Sequence, residues 1–286
     1  MATLTFSERL ARRRHDWWRT SRSPLTAQHR FRDLRSHRRR TDPDEVWRCC
    51  ASWQRTLLNK WNAREFAARY GCPVPELYWT GGATSRPPFE SLPDHYVVRP
   101  VRGAGMHGVQ VVGKGVELLR GEPATPAEMH RRYRLRSCWR ELAPLLIEEF
   151  ARSEEGAHHL PVEYKVHTFG VVVAAIERIE RTDGDGLRKG LSCHYTAEWE
   201  PIREMLRQNL VEDVPRGPPA CLDEILRHAS SLGGQTETYM RVDLFATDRG
   251  PLFNEFSSVT NNGEGFTPFG DEYFGEFWDR YAPDGI

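Results

Sequence analysis

Two short motifs in the C-terminal part of the chain place charged side chains on neighbouring predicted strands. Arg241-Val-Asp243 lies on one strand and Glu255-Phe-Ser257 on the next, with a turn at Asp248-Arg-Gly250 between them. Because side chains alternate along a strand, Arg241 and Asp243 share a face, and pairing through the turn can place Asp243 opposite Glu255. Facing carboxylates repel unless a cation lies between them, and their hard oxygens suit Mg²⁺. The alternative is two solvated carboxylates on an exposed sheet face.

A glycine-rich loop separates two predicted strands earlier in the chain. Gly103, Gly105 and Gly108 follow the GxGxxG spacing by which backbone amides approach a phosphate group. The run after them, residues 109–112, continues as a strand rather than a helix, which disfavours a dinucleotide-binding fold. The chain also lacks the HRD and DFG triplets of protein kinases. The loop is therefore either a flap over nucleotide phosphates or an ordinary hairpin turn.

Helical and strand patterns alternate along the chain and predict an α+β fold with largely antiparallel sheets. Segment 78–93 is predicted to be a loop. The predicted helices cover residues 41–58, 60–70, 126–142, 201–210 and 222–232. The predicted strands cover residues 96–100, 109–112, 145–150, 163–169, 171–179, 239–246 and 251–256.

The composition excludes several classes of protein. The chain has 286 residues, 40 basic and 40 acidic side chains and a hydrophobic fraction of 39%, which excludes a mini-protein or a disordered charged tail. Its length corresponds to one large or two modest domains of about 150 residues. No apolar window approaches the roughly 20 residues of a membrane span, so we expect a cytoplasmic protein. The six cysteines form no CxxC pair, which argues against a structural zinc site.

The N-terminal segment is strongly basic. Residues 1–40 are rich in arginine, contain few acidic residues, and include Trp17, Trp18 and Phe31. They are predicted to form a helical extension that either covers the folded part or binds a polyanion such as nucleic acid. No nucleic-acid-binding module is recognisable, which favours the first alternative.

In their order along the chain, these motifs resemble the ATP-grasp fold, and within it the TupA-like amidoligase group of teichuronopeptide biosynthesis. The resemblance runs from about residue 60 to residue 278. Residues 59–64 resemble the lysine-bearing helix start of this group, and residues 96–103 resemble the strand with its phosphate-contacting basic residue. Arg99 stands where the family usually has lysine, and Ser257 where many ATP-grasp enzymes have asparagine.

The resemblance implies three groups of site residues. Residues 146–151 resemble the hinge that contacts adenine, and Glu163 is expected on the ribose. The full nucleotide-binding group is Lys60, Arg99, Gly103, Gly105, Gly108, Glu148, Glu149, Ala151 and Glu163. The implied metal ligands are Asp243, Glu255 and Ser257, and the implied catalytic residues are Arg241 and Lys165.

The resemblance also implies an architecture and a reaction. A basic helical extension over residues 1–58 would precede an ATP-binding lobe over 59–145, which carries the flap, and a lobe over 146–286, which carries the metal strands. ATP and Mg²⁺ would bind between the lobes. The implied reaction joins a carboxylate to an amine through an acyl phosphate, with small molecules or peptides as substrates. The alternatives are a phosphotransferase and a non-catalytic scaffold that binds a polyanion through its arginine-rich segment. The sequence indicates no oligomeric state.

Several other polar residues have two interpretations. His167 and His194 are either structural histidines or general bases that accept a proton from an amine. The adjacent pair His158 and His159 is not predicted to bind metal, because neighbouring side chains on an extended chain point apart. Cys193 is predicted to be a buried thiol rather than a nucleophile.

Overall fold

The computed structural model of the protein describes residues 37–50, 52–82, 85–103, 106–137, 144–181, 191–206, 214–258, 260 and 265–281. Its strands form two six-stranded sheets, and every neighbouring pair of strands in them is antiparallel. This confirms the predicted α+β class. The basic segment 1–36 lies outside the described residues, and so do Gly105 and residues 207–213.

Short helices precede the first sheet. Helix α1 is Asp44–Trp47, a 3₁₀ helix follows at Trp53–Leu58, and helix α2 is Lys60–Arg69. The single helix predicted for 41–58 is wrong. Trp47 and Trp53 both enter the same core, and six residues at 3.6 per turn would place them on different faces of one helix.

The start and end of helix α2 agree with the prediction. The side chain of Asn59 accepts hydrogen bonds from the backbone N–H groups of Trp61 at 2.9 Å and Asn62 at 3.3 Å, which caps the helix. At the other end Gly71 has a φ of 76°, a conformation that favours glycine after a helix. The cap fixes the position of Lys60, the first residue of the helix.

The first sheet has the strand order β1-β6-β2-β3-β4-β5. These strands are β1 (Leu77–Gly81), β2 (His95–Pro100), β3 (Gln110–Gly113), β4 (Val116–Glu117), β5 (Glu122–Pro123) and β6 (Leu145–Glu149). Helix α3, Pro126–Ser137, contributes Met129 and Tyr133 to a core shared with this sheet. The loop predicted for 78–93 is wrong at its start, because residues 78–81 pair with β6 as an edge strand.

The second sheet has the order β10-β9-β8-β7-β11-β12. These strands are β7 (Glu163–Phe169), β8 (Val172–Glu180), β9 (Leu191–Tyr195), β10 (Pro201–Ile202), β11 (Tyr239–Thr247) and β12 (Gly250–Ser257). Helix α4 is Leu222–Thr236 and helix α5 is Pro268–Tyr281. The helix predicted for residues 201–210 is wrong over the described residues 201–206, since Pro201 pairs with Tyr195 and Glu204 has a φ of 61°.

The two faces of the second sheet have different partners. Tyr164, Val166, Val242 and Leu244 on one face share a buried core with residues of α2 and α4. Residues of α5 cover part of the other face. Among the helices of the described residues, none is long and apolar enough to cross a membrane.

The predicted lobe boundaries do not coincide with the packing of the elements. Trp47, Trp53 and Phe66 share the core of the second sheet, although these residues precede the first sheet in the chain. The predicted boundary at residues 145/146 falls inside β6, which lies between β1 and β2 in the first sheet. The chain therefore passes from the first sheet to the second after Glu149, and buried residues of α1, the 3₁₀ helix and α2 pack with the second sheet.

Candidate active site

The predicted pairing of the two C-terminal motifs is present in the structure. Asp243 of β11 lies directly opposite Glu255 of β12, and Arg241 lies opposite Ser257. Arg241 holds Asp243 through two hydrogen bonds of 2.7 Å, from Nε to Oδ1 and from Nη2 to Oδ2. Asp243 is fully buried and Arg241 is 7% exposed. Burial alone would lower the pKa of Arg241, but the charge of Asp243 raises it, so the guanidinium stays protonated.

A bulge in β12 adds another polar residue to this site. The register shifts after Asp243, so that Asn254 is the extra residue between Glu255 and its neighbour Phe253. The side-chain oxygen of Asn254 accepts a hydrogen bond of 2.9 Å from Arg99 Nη1. Its side-chain nitrogen donates one of 2.7 Å to Glu163 Oε1. Sequence reasoning gave Asn254 no role, because strict alternation places it on the opposite face from Glu255.

Lys60 enters the site from the first turn of α2. Its Nζ lies 3.2 Å from Glu255 Oε2 and donates a hydrogen bond of 2.7 Å to the carbonyl oxygen of Gly103. Burial lowers the pKa of Lys60. Burial also opposes the ionisation of Glu255, but the positive charges of Lys60 and Arg99 outweigh this effect and lower the pKa of Glu255. Lys60 therefore links the base of the glycine loop to the strand of Glu255.

Arg99 and Glu148 belong to a buried ionic network on the first sheet. Arg99 Nη2 donates to the backbone carbonyl of Asn254 at 3.1 Å and lies 4.0 Å from Glu255 Oε2. Glu148 accepts a hydrogen bond of 2.5 Å from Arg64 Nη1, and its other oxygen is 3.7 Å from Arg99 Nη1. Glu148 thus joins α2 to the first sheet. Sequence reasoning gave Arg64 no separate role, and this pairing has no signal in local spacing.

Glu149 makes a further contact between the two sheets. Its Oε1 accepts a hydrogen bond of 2.5 Å from Arg249, which lies in the turn between β11 and β12. Its Oε2 accepts one of 3.2 Å from the backbone N–H of Glu76. Ala151 follows two residues later and is 6% exposed. Glu149 and Ala151 therefore lie where the chain leaves the first sheet.

Glu163 and Lys165 lie on β7, next to the strand of Asp243. Lys165 is directly opposite Asp243 in the register. Glu163 Oε2 accepts a hydrogen bond of 2.8 Å from Arg181. Burial alone would raise the pKa of Glu163, but the charges of Lys165 and Arg181 lower it to about 2. Glu163 is consequently ionised at neutral pH.

The glycine-rich loop joins two antiparallel strands, β2 and β3, as predicted for a hairpin. Gly103 has a φ of 128° and Gly108 has a φ of 79°, conformations that favour glycine. Because Lys60 contacts the carbonyl of Gly103, the base of the loop borders the ionic site. Gly105 lies outside the described residues.

The face of the second sheet that carries Arg241 and Asp243 also carries His167 and His194, the two histidines whose role the sequence left undecided. His167 is 1% exposed, and its Nδ1 lies 2.9 Å from the hydroxyl oxygen of Tyr239. Burial lowers the pKa of His167 well below its ordinary value, and the nearby charge of Arg241 lowers it further. His194 pairs in register with Glu177. The sequence analysis gave Glu177 no role, although the alternation along β8 places it on the face opposite the apolar core.

The donor set of the strand pair fits a magnesium ion. Asp243 and Glu255 offer hard carboxylate oxygens from opposed positions, and Ser257 carries a hydroxyl on the same strand as Glu255. Each oxygen of Asp243 accepts one hydrogen bond from Arg241, which leaves a second lone pair on each oxygen. The side chain of Glu255 is 29% exposed and is therefore reachable from solvent.

Comparison with known proteins identifies the fold. Residues 61–278 match the family model of the TupA-like ATP-grasp proteins. The fold is similar to that of a D-alanine–D-alanine ligase from Bacillus anthracis complexed with ATP, with a TM-score of 0.52 at 14% sequence identity, and the match covers 81% of this chain and 66% of the ligase. A second structure of a D-alanine–D-alanine ligase from Bacillus anthracis gives a TM-score of 0.50 at 15% identity, covering 81% of this chain and 67% of the ligase. No curated protein sequence matches this chain.

At these identities the likeness to the ligases concerns the fold, and this chain spans about two-thirds of their length. The family match covers most of the chain and includes all the strands of the second sheet. It extends from the second residue of α2 into α5, so both sheets lie within it. The resemblance seen in the sequence motifs is thereby confirmed, and the chain belongs to the TupA-like ATP-grasp family.

Proposed function

We propose that this protein is an ATP-dependent carboxylate–amine ligase that forms an amide or peptide bond through an acyl phosphate. The observation that carries the proposal is the convergence of Lys60, Arg99, Arg241, Asp243 and Glu255 where the two sheets meet. A buried cluster of cationic and carboxylate side chains suits a reaction in which several anionic oxygens must come together. The ATP complex of the similarly folded D-alanine–D-alanine ligase supports the nucleotide assignment.

In the proposed reaction a substrate carboxylate attacks the γ-phosphorus of ATP. The bond from this phosphorus to the β-phosphate bridging oxygen breaks, and ADP leaves. An amine then attacks the carbonyl carbon of the acyl phosphate and loses a proton, and the carbon–oxygen bond to phosphate breaks. The products are an amide and inorganic phosphate. The substrates are small-molecule or peptide carboxylates and amines.

Arg241 is proposed to stabilise the charge that develops during these steps. Its Nε and Nη2 are both held by Asp243, which fixes the orientation of the guanidinium plane. Nη1 lies 3.4 Å from Thr260 Oγ1 and has a second hydrogen to offer to a phosphoryl oxygen or a tetrahedral intermediate. Lys165, opposite Asp243 on the next strand, is the second proposed catalytic cation.

Lys60, Arg99 and the glycine loop are proposed to bind the phosphates. Lys60 already bridges the loop and Glu255 in this structure. Mg²⁺ held by Asp243 and Glu255, with the hydroxyl of Ser257, would neutralise negative charge on the phosphate oxygens.

The hinge is proposed to bind the nucleoside. Glu149 and Ala151 lie where the chain leaves the first sheet, and Glu148 lies beside them. Glu148 and Glu163 are each held by an arginine, which orients their remaining lone pairs toward adenine and ribose in this proposal. The glycine loop, which starts from β2 of the same sheet, would close over the phosphates.

The proposal is tested by following ADP release with panels of carboxylates and amines. We expect ADP release that requires Mg²⁺, a carboxylate and an amine together, with an amide product identified by mass spectrometry. ADP release with a phosphorylated product and no amine requirement would instead establish a phosphotransferase. No nucleotide binding, with a salt-dependent affinity for RNA, would establish a polyanion-binding scaffold.

A further inference from the structure

A second group of possible metal ligands lies on the polar face of the second sheet. His167 on β7, Glu177 on β8 and His194 on β9 each offer one ligand atom, and these three atoms lie within 4.8 Å of one another. The residues are 1%, 4% and 6% exposed, respectively. None of them is a predicted magnesium ligand. Two imidazoles and one carboxylate form a donor set that is found in zinc enzymes.

Three adjacent strands supply one ligand each, so the sheet itself holds the group in place. Glu177 is directly opposite His194 across β8 and β9. His167 is opposite Ala175, which lies two residues before Glu177 on the same face of β8. The ring of Phe274 from α5 lies 4.7 Å from that of His167, between ring centroids, and covers the group. Such a group is pre-organised by backbone pairing rather than by a loop.

The hydrogen bonds of His167 orient it as metal-binding histidines are oriented. Its Nδ1 lies 2.9 Å from Tyr239 Oη, which in turn lies 2.9 Å from Thr260 Oγ1. The other ring nitrogen, Nε2, is buried and has no hydrogen-bond partner among the described residues. A buried polar atom without a partner is costly, and a metal ion would satisfy it. Metal-binding histidines typically use their second nitrogen for a hydrogen bond of this kind.

The cation nearest to Glu177, Lys165, leaves the Glu177 carboxylate available to a metal ion. Lys165 Nζ lies 3.9 Å from Glu177 Oε2, which is an ion-pair distance but too long for a hydrogen bond. Lys165 therefore balances the charge of Glu177 without occupying its lone pairs.

We propose that His167, Glu177 and His194 bind a divalent transition metal ion such as Zn²⁺, at a site separate from the magnesium site of Asp243 and Glu255. The donor types favour this class of metal, because imidazole suits zinc and its neighbours in the first transition row, whereas magnesium prefers oxygen alone. His167 lies directly opposite Arg241 in the register, so the metal site adjoins the proposed reaction centre. The inference stands on these ligands and does not depend on the proposed ligase activity.

The test is a titration of untagged, metal-free protein with Zn²⁺ in the absence of nucleotide, followed by calorimetry. Co²⁺ provides a parallel optical probe, since its absorption spectrum reports nitrogen and oxygen ligation. We expect one equivalent of metal to bind to each chain. Performing the titration without ATP separates this inference from the proposed function, because failure of either one leaves the other measurable.

Three variants locate the bound metal. His167→Ala and His194→Ala remove ligands, and Glu177→Gln keeps the side-chain size but removes the charge. Each is expected to weaken binding by more than about tenfold, the lower end of the effect of losing even an outer partner of a metal ligand. Glu180→Gln, on the same strand but paired with Arg178, and His159→Ala, whose side chain is 56% exposed, are the matched controls and should bind as the wild type does.

Tyr239→Phe offers a gentler test, because it removes only the hydroxyl group next to His167 Nδ1. It should weaken Zn²⁺ binding by about tenfold while the protein stays folded. The proposal is overturned if the wild-type protein binds no stoichiometric metal. It is also overturned if binding survives unchanged in the His167 and His194 variants, which would place the metal elsewhere, for example at the exposed Cys49.

Discussion

The two faces of the second sheet come from the same strands and are buried to a similar degree, yet their chemistry is opposite. On β7, Tyr164 and Val166 are 2% and 0% exposed and join the hydrocarbon core under α2 and α4. On the other face, Glu163 precedes them and His167 follows them in the strand, and these two residues are 4% and 1% exposed. The apolar face follows the period-two alternation of ordinary sheets. The polar face has the same alternation but carries charged and polar side chains beside the apolar residues that pack on α5.

The apolar and polar faces of the second sheet differ in what they contribute to the stability of the fold and to the proposed function. Burial of apolar surface stabilises a fold by about 25 cal/mol per Å². Buried ion pairs, in contrast, are often no more stabilising than apolar residues of the same volume. Apolar residues of the same volume could therefore stabilise the sheet about as well as the pair Arg241–Asp243 and the links from Lys60 and Arg99 to Glu255 do. In the proposed function, their arrangement serves a reaction that needs fixed charges.

The largest expected effect on turnover comes from Arg241→Lys. Lysine keeps a cation beside Asp243 but loses the planar, two-point contact that fixes the guanidinium. We expect the rate of ATP turnover to fall by about 10³-fold, the size of losing a fixed donor to developing charge. The measurement is ADP release under saturating substrates, with circular dichroism as a check that the variant is folded. Wild-type turnover would remove Arg241 from the reaction.

A smaller loss is expected for Glu255→Gln, which keeps the side-chain size and removes a proposed metal-ligand charge. Because the side chain is 29% exposed, the change should cost little stability. Turnover should fall by about 10²-fold at fixed Mg²⁺ and recover in part as Mg²⁺ is raised, since loss of a ligand weakens metal binding. Glu149→Gln serves as a comparison, because its carboxylate binds Arg249 and is not a proposed metal ligand. Equal Mg²⁺ dependence in the two variants would contradict the metal assignment.

The third variant, Arg99→Lys, introduces the residue type that the resemblance to the family implies at this position. It would remove the two hydrogen bonds to Asn254 and keep the positive charge near Glu255. Without these contacts to Asn254, the cation is less well positioned for the proposed contact with the ATP phosphates. The loss of one charge-assisted hydrogen bond to the phosphates corresponds to about tenfold in binding, so we expect KM for ATP to rise by about this factor with little change in kcat. Steady-state kinetics with varied ATP provide the measurement. A fall in kcat with unchanged KM would instead place Arg99 at the reacting atoms.

The smallest effect on turnover is expected on the apolar side. Leu232 of α4 is fully buried in the core of the second sheet. Leu232→Ala should lower the free energy of unfolding by about 2–5 kcal/mol through lost burial and a cavity. Turnover per folded molecule should remain at the wild-type level, as measured below the unfolding transition. A strong loss of turnover in the folded variant would mean that the two faces are not functionally separate.

The sequence predicted the second sheet better than its surroundings. Alternation and a turn at residues 248–250 predicted the pairing of Asp243 with Glu255, and this pairing is observed. The structure reaches it differently, because Thr247 already pairs with Gly250 and the bulge at Asn254 then shifts the register by one residue. The bulge at Asn254 was not predictable, since an extra residue leaves no periodic signal.

Local sequence patterns also could not predict the contacts between elements that are distant in the chain. The pairing of Arg64 with Glu148 joins α2 to the first sheet and depends on tertiary packing alone. The break between α1 and the 3₁₀ helix depends on where Trp47 and Trp53 must both be buried. The catalytic and binding roles assigned to the site residues from the sequence remain predictions. The structure shows that these residues lie close together.

Calorimetric titration with a non-hydrolysable ATP analogue tests whether the polar face of the second sheet binds ATP together with Mg²⁺, as proposed. It is carried out with and without Mg²⁺ on the wild type and on Glu255→Gln. We expect the wild type to bind the analogue at least about tenfold more tightly with Mg²⁺, and Glu255→Gln to lose most of this difference. Affinity that is independent of Mg²⁺ in both proteins, or no binding by the folded wild type, would contradict the proposal.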